Sequence, residues 1–238
     1  MLITQGTARS EATDRRLACI LAAIAGALNA SAFQAVGFFA ANMTGNVSAL
    51  SDRMALGQWL IGGFYLSIVL TFVFGAAVST LLVNGGRRRN IRSIYALTVL
   101  AEGLLMGLLG VLVQGLPITL RAPFLILGLA FLMGLQNAIV TTISGARVRT
   151  THVSGMATDI GIELMMLLDM ARGVEPSAER NSYRSKLRLH VQTVLAFLAG
   201  GMCGVLLYQS IGNRLLFVTA SLLLLMAANG IYRAQKMA

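Results

Sequence analysis

Charged and metal-binding side chains are scarce in this sequence. Only 12% of its 238 residues are charged, nine residues are acidic, and there are two histidines and two cysteines. The cysteines lie far apart in apolar stretches, and neither histidine has acidic neighbours at a recognised ligand spacing. We therefore expect no metal site and no cofactor. No serine or cysteine has a base and an oxyanion hole evident in its surroundings, so we expect no enzymatic activity.

Most of the chain consists of apolar residues. They make up 56% of the chain, and the mean hydropathy of +0.75 is far above that of ordinary soluble domains. A helix needs about 20 apolar residues to cross a hydrocarbon core of about 30 Å. We predict an all-α integral membrane protein with six transmembrane helices, over residues 17–39, 59–83, 93–114, 122–145, 189–211 and 215–232.

The positions of the basic residues predict the orientation in the membrane. Cytoplasmic loops of membrane proteins carry an excess of Lys and Arg. With a cytoplasmic N-terminus, all of the 19 basic residues except Arg53, Arg121 and Arg214 fall on the inside. Topology thus accounts for the net charge of +10, and a nucleic-acid partner is not expected. We expect a protein of the bacterial cytoplasmic (inner) membrane, with both termini in the cytoplasm and membrane lipids as partners.

The two halves of the chain share a sequence pattern. GALNA at 26–30 resembles GLQNA at 134–138, and NMTGN at 42–46 resembles HVSGM at 152–156. Each half holds three predicted helices, so the second half enters the membrane from the opposite face and the repeat is inverted. We predict a cytoplasmic tail over 1–16, a first three-helix repeat over 17–116, and a second over 117–238 with a cytoplasmic loop over 145–188.

These motifs also carry a family resemblance. MTGN after the first predicted helix, together with GLQNA and RTTHVSGMATDIG around the fourth, resembles the YoaK-type family of bacterial inner-membrane proteins. The resemblance covers residues 16–233 and implies six helices in the plasma membrane. The family is a domain of unknown function, so the resemblance implies no substrate and no catalytic residue.

Glu102 is the one acid inside a predicted span. A charge at mid-bilayer costs roughly 2.5–3.5 kcal/mol on insertion scales, so such residues usually face a cavity or a partner and mark an ion or proton path. The alternative is a carboxyl group that only hydrogen-bonds to a neighbouring helix. The last predicted span has no acid, so this feature is not duplicated.

Amide side chains mark matched positions in the first and fourth predicted helices. Asn29 and Asn137 are each followed by Ala, and Gln136 adds a further amide. Across a two-fold axis the two asparagines could face each other and bind one solute, or they could only hydrogen-bond helix to helix for about 0.6 kcal/mol. An uncharged polar lining favours a neutral or zwitterionic solute.

Two polar turns follow these helices. We expect Gly45 and Gly155 to break the backbone and Thr44 and Ser154 to cap the segments that follow, a geometry that attracts anions or carboxylates. The alternative is that both turns only cap helices. The candidate substrate-binding or gating residues are Asn29, Asn42, Thr44, Asn46, Glu102, Gln136, Asn137, His152, Ser154 and Asp159.

The inverted repeat and the intramembrane acid together favour a small secondary transporter or exporter of an unknown small solute, with Glu102 as the proton-coupling group. It would act as a monomer or a homodimer. Two alternatives remain open at this stage: a passive channel for a neutral solute, and an accessory or lipid-interacting membrane protein without transport activity.

Overall fold

The computed structural model describes Leu2 and residues 11–236 of the chain. Arg9 and most of the predicted tail over 1–16 lie outside the described residues. The regular structure of the described residues is helical throughout. Eight α-helices follow one another along the chain: α1 (Glu11–Val36), α2 (Met43–Ala55), α3 (Trp59–Arg88), α4 (Ile94–Gly115), α5 (Ile118–Ser144), α6 (Val153–Ala171), α7 (Arg180–Ile211) and α8 (Leu215–Lys236).

Five segments of the described chain are long and apolar enough to cross a membrane. Four of them are α1, α3, α4 and α5. The fifth, Ser177–Lys236, is 60 residues long and contains both α7 and α8, which are joined by a short 3-10 turn at Gly212–Arg214. Many large apolar side chains on these helices are exposed, among them Leu60, Leu81 and Leu225. Lipid is the environment that covers such side chains, so the chain is an all-α, multi-pass membrane protein.

The helices extend beyond the spans predicted from hydropathy. The first begins at Glu11 instead of residue 17, and α7 begins at Arg180, well before the predicted start at residue 189. Hydropathy detects only the apolar part of a helix, whereas the backbone ladder continues into polar residues. Glu11 and Asp14 in the first turn of α1 also suit the positive end of the helix dipole.

The stretch predicted as one cytoplasmic loop, 145–188, is mostly helical. It contains α6, a helix of 19 residues, and the first turns of α7. Ile162, Leu164 and Met165 on α6 are exposed, which is not typical of a solvated loop.

Glycines let the longest helices cross at close range. α1 packs against α7, where a Cβ on Gly26 would clash with the backbone of Phe197, and one on Gly200 would clash with the backbone of Ala23. α3 packs against α5 in the same manner. There a Cβ on Gly134 would clash with the backbone of Phe72, and one on Gly75 would clash with that of Phe131. Small residues at such crossings allow van der Waals contact between helix backbones.

Candidate functional site

A carboxyl group and an amide meet in the protein interior between α4 and α5. Gln136 Nε2 donates a hydrogen bond of 3.0 Å to Glu102 Oε1, and both side chains are fully buried. These are two of the candidate residues from the sequence, and the structure brings them together. An amide that donates to a carboxyl oxygen stabilises it in the absence of water.

Both residues of this pair, and Ser79 of α3, have a polar atom that is unsatisfied. Glu102 Oε2, Gln136 Oε1 and Ser79 Oγ are buried and have no hydrogen-bond partner among the described residues. α3 and α4 form a hairpin that is in contact at Gly86 and Ile94. Ser79 and Glu102 both lie about 10–12 Å from that contact along their helices, which puts them at a similar depth. Buried polar atoms without partners are costly, and in native proteins each calls for a functional or structural reason.

Three asparagines hold the first polar turn by binding its backbone. Asn29 Oδ1 accepts a hydrogen bond of 2.8 Å from the Ala41 N–H, and Asn46 Nδ2 donates one of 2.9 Å to the Phe39 carbonyl. Asn42 Oδ1 accepts from the Gly45 N–H at 3.0 Å and so caps α2. Asn29 therefore fixes the turn to α1, and Asn42 and Asn46 connect it to α2, all without a ligand.

The second polar turn is held in a related way. Asn137 Nδ2 donates to the Met133 carbonyl at 2.8 Å, and Asn137 Oδ1 accepts from Thr151 Oγ1 at 3.0 Å. Thr150 Oγ1 lies 3.4 Å from the same oxygen. Asn29 and Asn137 thus each bind their own turn, and these contacts give them a common anchoring role.

The capping expected of Thr44 and Ser154 is wrong. Each is the second residue of its helix and is exposed, and Asn42 supplies the cap of α2 instead. Gly45 likewise lies inside α2, where a Cβ would come within 2.5 Å of Asn42 Nδ2. Glycine at this position therefore makes room for the capping side chain and does not break the backbone.

The turn before α6 borders a cavity of about 430 Å³. His152 and Asp159 line it, whereas Ser154 is not among its lining residues. Arg149 and the neighbouring Arg147 also line it, and α7 contributes His190. This volume lies within the range that small-molecule sites occupy.

Two buried acids bind basic side chains of this lining. Asp14 of α1 binds Arg147 with an O–N distance of 2.6 Å, and its side chain is 3% exposed. Glu163 of α6 lies 3.1 Å from His190 Nδ1 and is also buried. A carboxylate only accepts hydrogen bonds, so a bond to an ionised Glu163 requires the hydrogen on Nδ1.

Sequence reasoning did not find these two pairs. Asp14 lies in the first turn of α1 and Arg147 just beyond the end of α5, and Glu163 and His190 lie on different helices. The available signal was only that charged residues and histidines are rare in this chain, so that each one in or beside an apolar helix needs a partner.

The fold and these contacts define a class: an all-α, multi-pass membrane protein with the buried Glu102–Gln136 pair in its interior and a polar cavity at the end of α5. The chain belongs to the family described as a protein of unknown function (DUF1275), whose family model matches residues 17–229. The family resemblance predicted from the motifs is thereby confirmed. No curated protein and no solved structure matches the chain significantly.

Proposed function

We propose that six helices cross a bacterial inner membrane, with both termini in the cytoplasm. Contacts between helix ends support this count. Arg147, just beyond the end of α5, binds Asp14 in the first turn of α1, so these two ends belong to one face. If α1, α3, α4 and α5 each cross, the chain returns to that face only when α2 does not cross.

The same reasoning applies to the second half. Glu11 at the start of α1 accepts a hydrogen bond from Ser185 near the start of α7, so α7 starts on this face too and α6 does not cross. α7 and α8 then return the chain to the face on which α1 starts. The position of Leu2, which lies against Gly230 near the end of α8, agrees with this. Most basic residues fall on this face, which favours the cytoplasm.

We further propose that α1–α4 and α5–α8 form the two inverted units. The glycine crossings support the repeat because they match in sequence. Gly26 and Gly134 are 108 positions apart. Ala23 and Phe131, whose backbones face the glycines of the opposing helices, are also 108 positions apart. Each unit also ends its first helix at a glycine with positive φ, Gly37 at 75° and Gly145 at 61°. A left-handed residue is common where a helix ends.

The function best supported is secondary transport of a small solute, coupled to protons through Glu102. The observation that carries this proposal is the buried Glu102–Gln136 pair, in which one carboxyl oxygen has no partner among the described residues. A carboxyl group in such a position can accept a proton when a conformational change opens it to water. Inverted-repeat transporters place their sites in this way, at helices near the interface of the units; this support is an analogy of architecture.

Proteoliposomes that contain a pH-sensitive dye test the proposal. A panel of small metabolites is added outside, and proton movement is followed for each. The wild-type protein is expected to move protons with at least one solute. Glu102→Gln keeps the size and hydrogen bonding of the side chain but cannot exchange a proton, so it is expected to abolish this movement.

The matched control is Glu175→Gln, which removes an exposed acid in the connection between α6 and α7 and is expected to leave proton movement unchanged. Intact proton movement in Glu102→Gln would exclude the coupling role. Solute entry that follows the gradient and moves no protons in either protein would point to a passive channel for a neutral solute.

A further inference from the structure

The cavity beside α6 is distinct from the Glu102–Gln136 pair. We propose that this cavity binds a small oxyanion, the carboxylate or phosphate group of a solute or of a lipid headgroup. The proposal concerns equilibrium binding, and it holds whether or not the chain transports the bound group.

Basic side chains are the main polar groups in the lining of this cavity. Four basic side chains, Arg147, Arg149, His152 and His190, line the cavity, and Asp159 is the one acidic side chain that lines it among the described residues. Guanidinium groups match the oxygen geometry of carboxylates and phosphates, and hydrogen bonds from charged donors are the stronger ones. The lining therefore offers several hydrogen-bond donors to an oxyanion.

Buried carboxylates orient two of these basic groups. Asp14 fixes Arg147, and Glu163 fixes His190, in both cases through a carboxylate that is itself buried. Neither acid lines the cavity. A binding group whose orientation is set by a supporting hydrogen bond loses less entropy when a ligand arrives.

The two polar turns differ in how the helix that follows each of them is capped. Asn42 caps α2 by accepting a hydrogen bond from the Gly45 N–H, whereas His152 at the matched position of α6 makes no side-chain capping bond. Gly155, in the first turn of α6, lines the cavity. The His152 ring lies against Gly155, as the Asn42 side chain lies against Gly45, but it does not cap the first N–H groups of α6. These N–H groups and the positive end of the helix dipole favour an oxyanion at this end of the cavity.

Binding is measured on the full chain in nanodiscs of phosphatidylcholine, by calorimetry and by the shift in melting temperature. Inorganic phosphate and succinate are each titrated against chloride at equal ionic strength. Both are expected to raise the melting temperature in a concentration-dependent manner. No rise above that in chloride would overturn the proposal.

Arg149→Gln is the diagnostic variant, because it removes a lining charge and leaves the Asp14–Arg147 pair intact. It is expected to weaken phosphate binding by about tenfold or more, the usual effect of losing one charged hydrogen bond. Arg172→Gln, an exposed arginine just beyond the other end of α6, is the matched control and is expected to bind as the wild type does. Equal affinity in the wild type and Arg149→Gln would contradict the proposal.

His152→Asn is a second variant that does not depend on the behaviour of Arg149→Gln. By analogy with Asn42, the new side chain is expected to cap α6. It should raise the melting temperature of the ligand-free protein and reduce the further rise caused by phosphate. A full phosphate response in this variant would contradict the involvement of α6.

The source of the oxyanion is found by adding phosphatidylglycerol to the nanodiscs. If this lipid lowers the apparent affinity for phosphate in the wild type but not in Arg149→Gln, the headgroup is the ligand and the oxyanion site is supported. If phosphate binding is unchanged by the lipid, the ligand is a soluble anion, and the site is supported equally.

Discussion

At the scale of single residues, polar side chains in this membrane protein serve two purposes that the sequence does not separate. Asn29 and Asn137 occupy matched positions, and each binds the turn that follows its own helix. Glu102 and Gln136 bind each other across two helices. The first kind of contact is complete without a ligand, whereas the second leaves buried polar atoms unsatisfied.

Asn29→Ala is expected to lower the free energy of unfolding by about 1–3 kcal/mol, because it leaves the buried Ala41 N–H without an acceptor. The loss is measured by denaturant titration in detergent micelles. Gln34→Ala removes an exposed amide from the same helix and is expected to change stability by less than about 0.5 kcal/mol. Equal losses in the two variants would show that Asn29 does not anchor the turn.

At the scale of helices, close crossings at glycine set the packing. The α1–α7 and α3–α5 pairs both use glycines from each of their helices, and these glycines face backbone atoms that cannot move aside easily. Rearrangement of side chains therefore does not relieve the clash that an added methyl group would cause.

Gly26→Ala and Gly134→Ala are each expected to cost about 1–3 kcal/mol, because the added Cβ forces the paired helices apart. Because the two sites are matched, the losses should be similar in size. Thermal unfolding in detergent measures them.

Gly63→Ala is the control for this prediction. A Cβ on Gly63 of α3 meets nothing within 4 Å, so this change is expected to be neutral or slightly stabilising. A Gly63→Ala loss as large as that of Gly26→Ala would contradict the packing argument.

Helices were more predictable than their connections. The repeat was predicted because Gly, Asn and the polar turns recur in the sequence, and long apolar runs predicted membrane-spanning helices. The stretch 145–188 was predicted as one cytoplasmic loop, and the length of α6 within it was not predicted. In the structure, Asp159 lines the cavity and Glu163 is buried against His190.

The candidate site was only partly predictable for a related reason. Glu102 and Gln136 were both identified, but their contact was not, because nothing in the sequence specifies which faces of α4 and α5 meet. The cap of α2 was assigned to Thr44 when Asn42 supplies it, since a one-turn sequence pattern does not fix the residue at which a helix starts.

At the scale of the whole molecule, the proposed transport function depends on the inversion of the two four-helix units. If the two units are inverted, Thr44 and Ser154 lie on opposite faces of the membrane, although they are matched in sequence. Both are exposed second residues of short helices, so cysteines placed there should be accessible and should disturb the fold little. Cys19 and Cys203 are first replaced by alanine to remove the background.

The most direct test of the account labels Thr44→Cys and Ser154→Cys in intact bacterial cells with a membrane-impermeant maleimide. We predict that Thr44→Cys is labelled in intact cells and that Ser154→Cys is labelled only after the membrane is permeabilised. Labelling of both residues from the same side would contradict the inverted repeat, and with it the architectural support for transport.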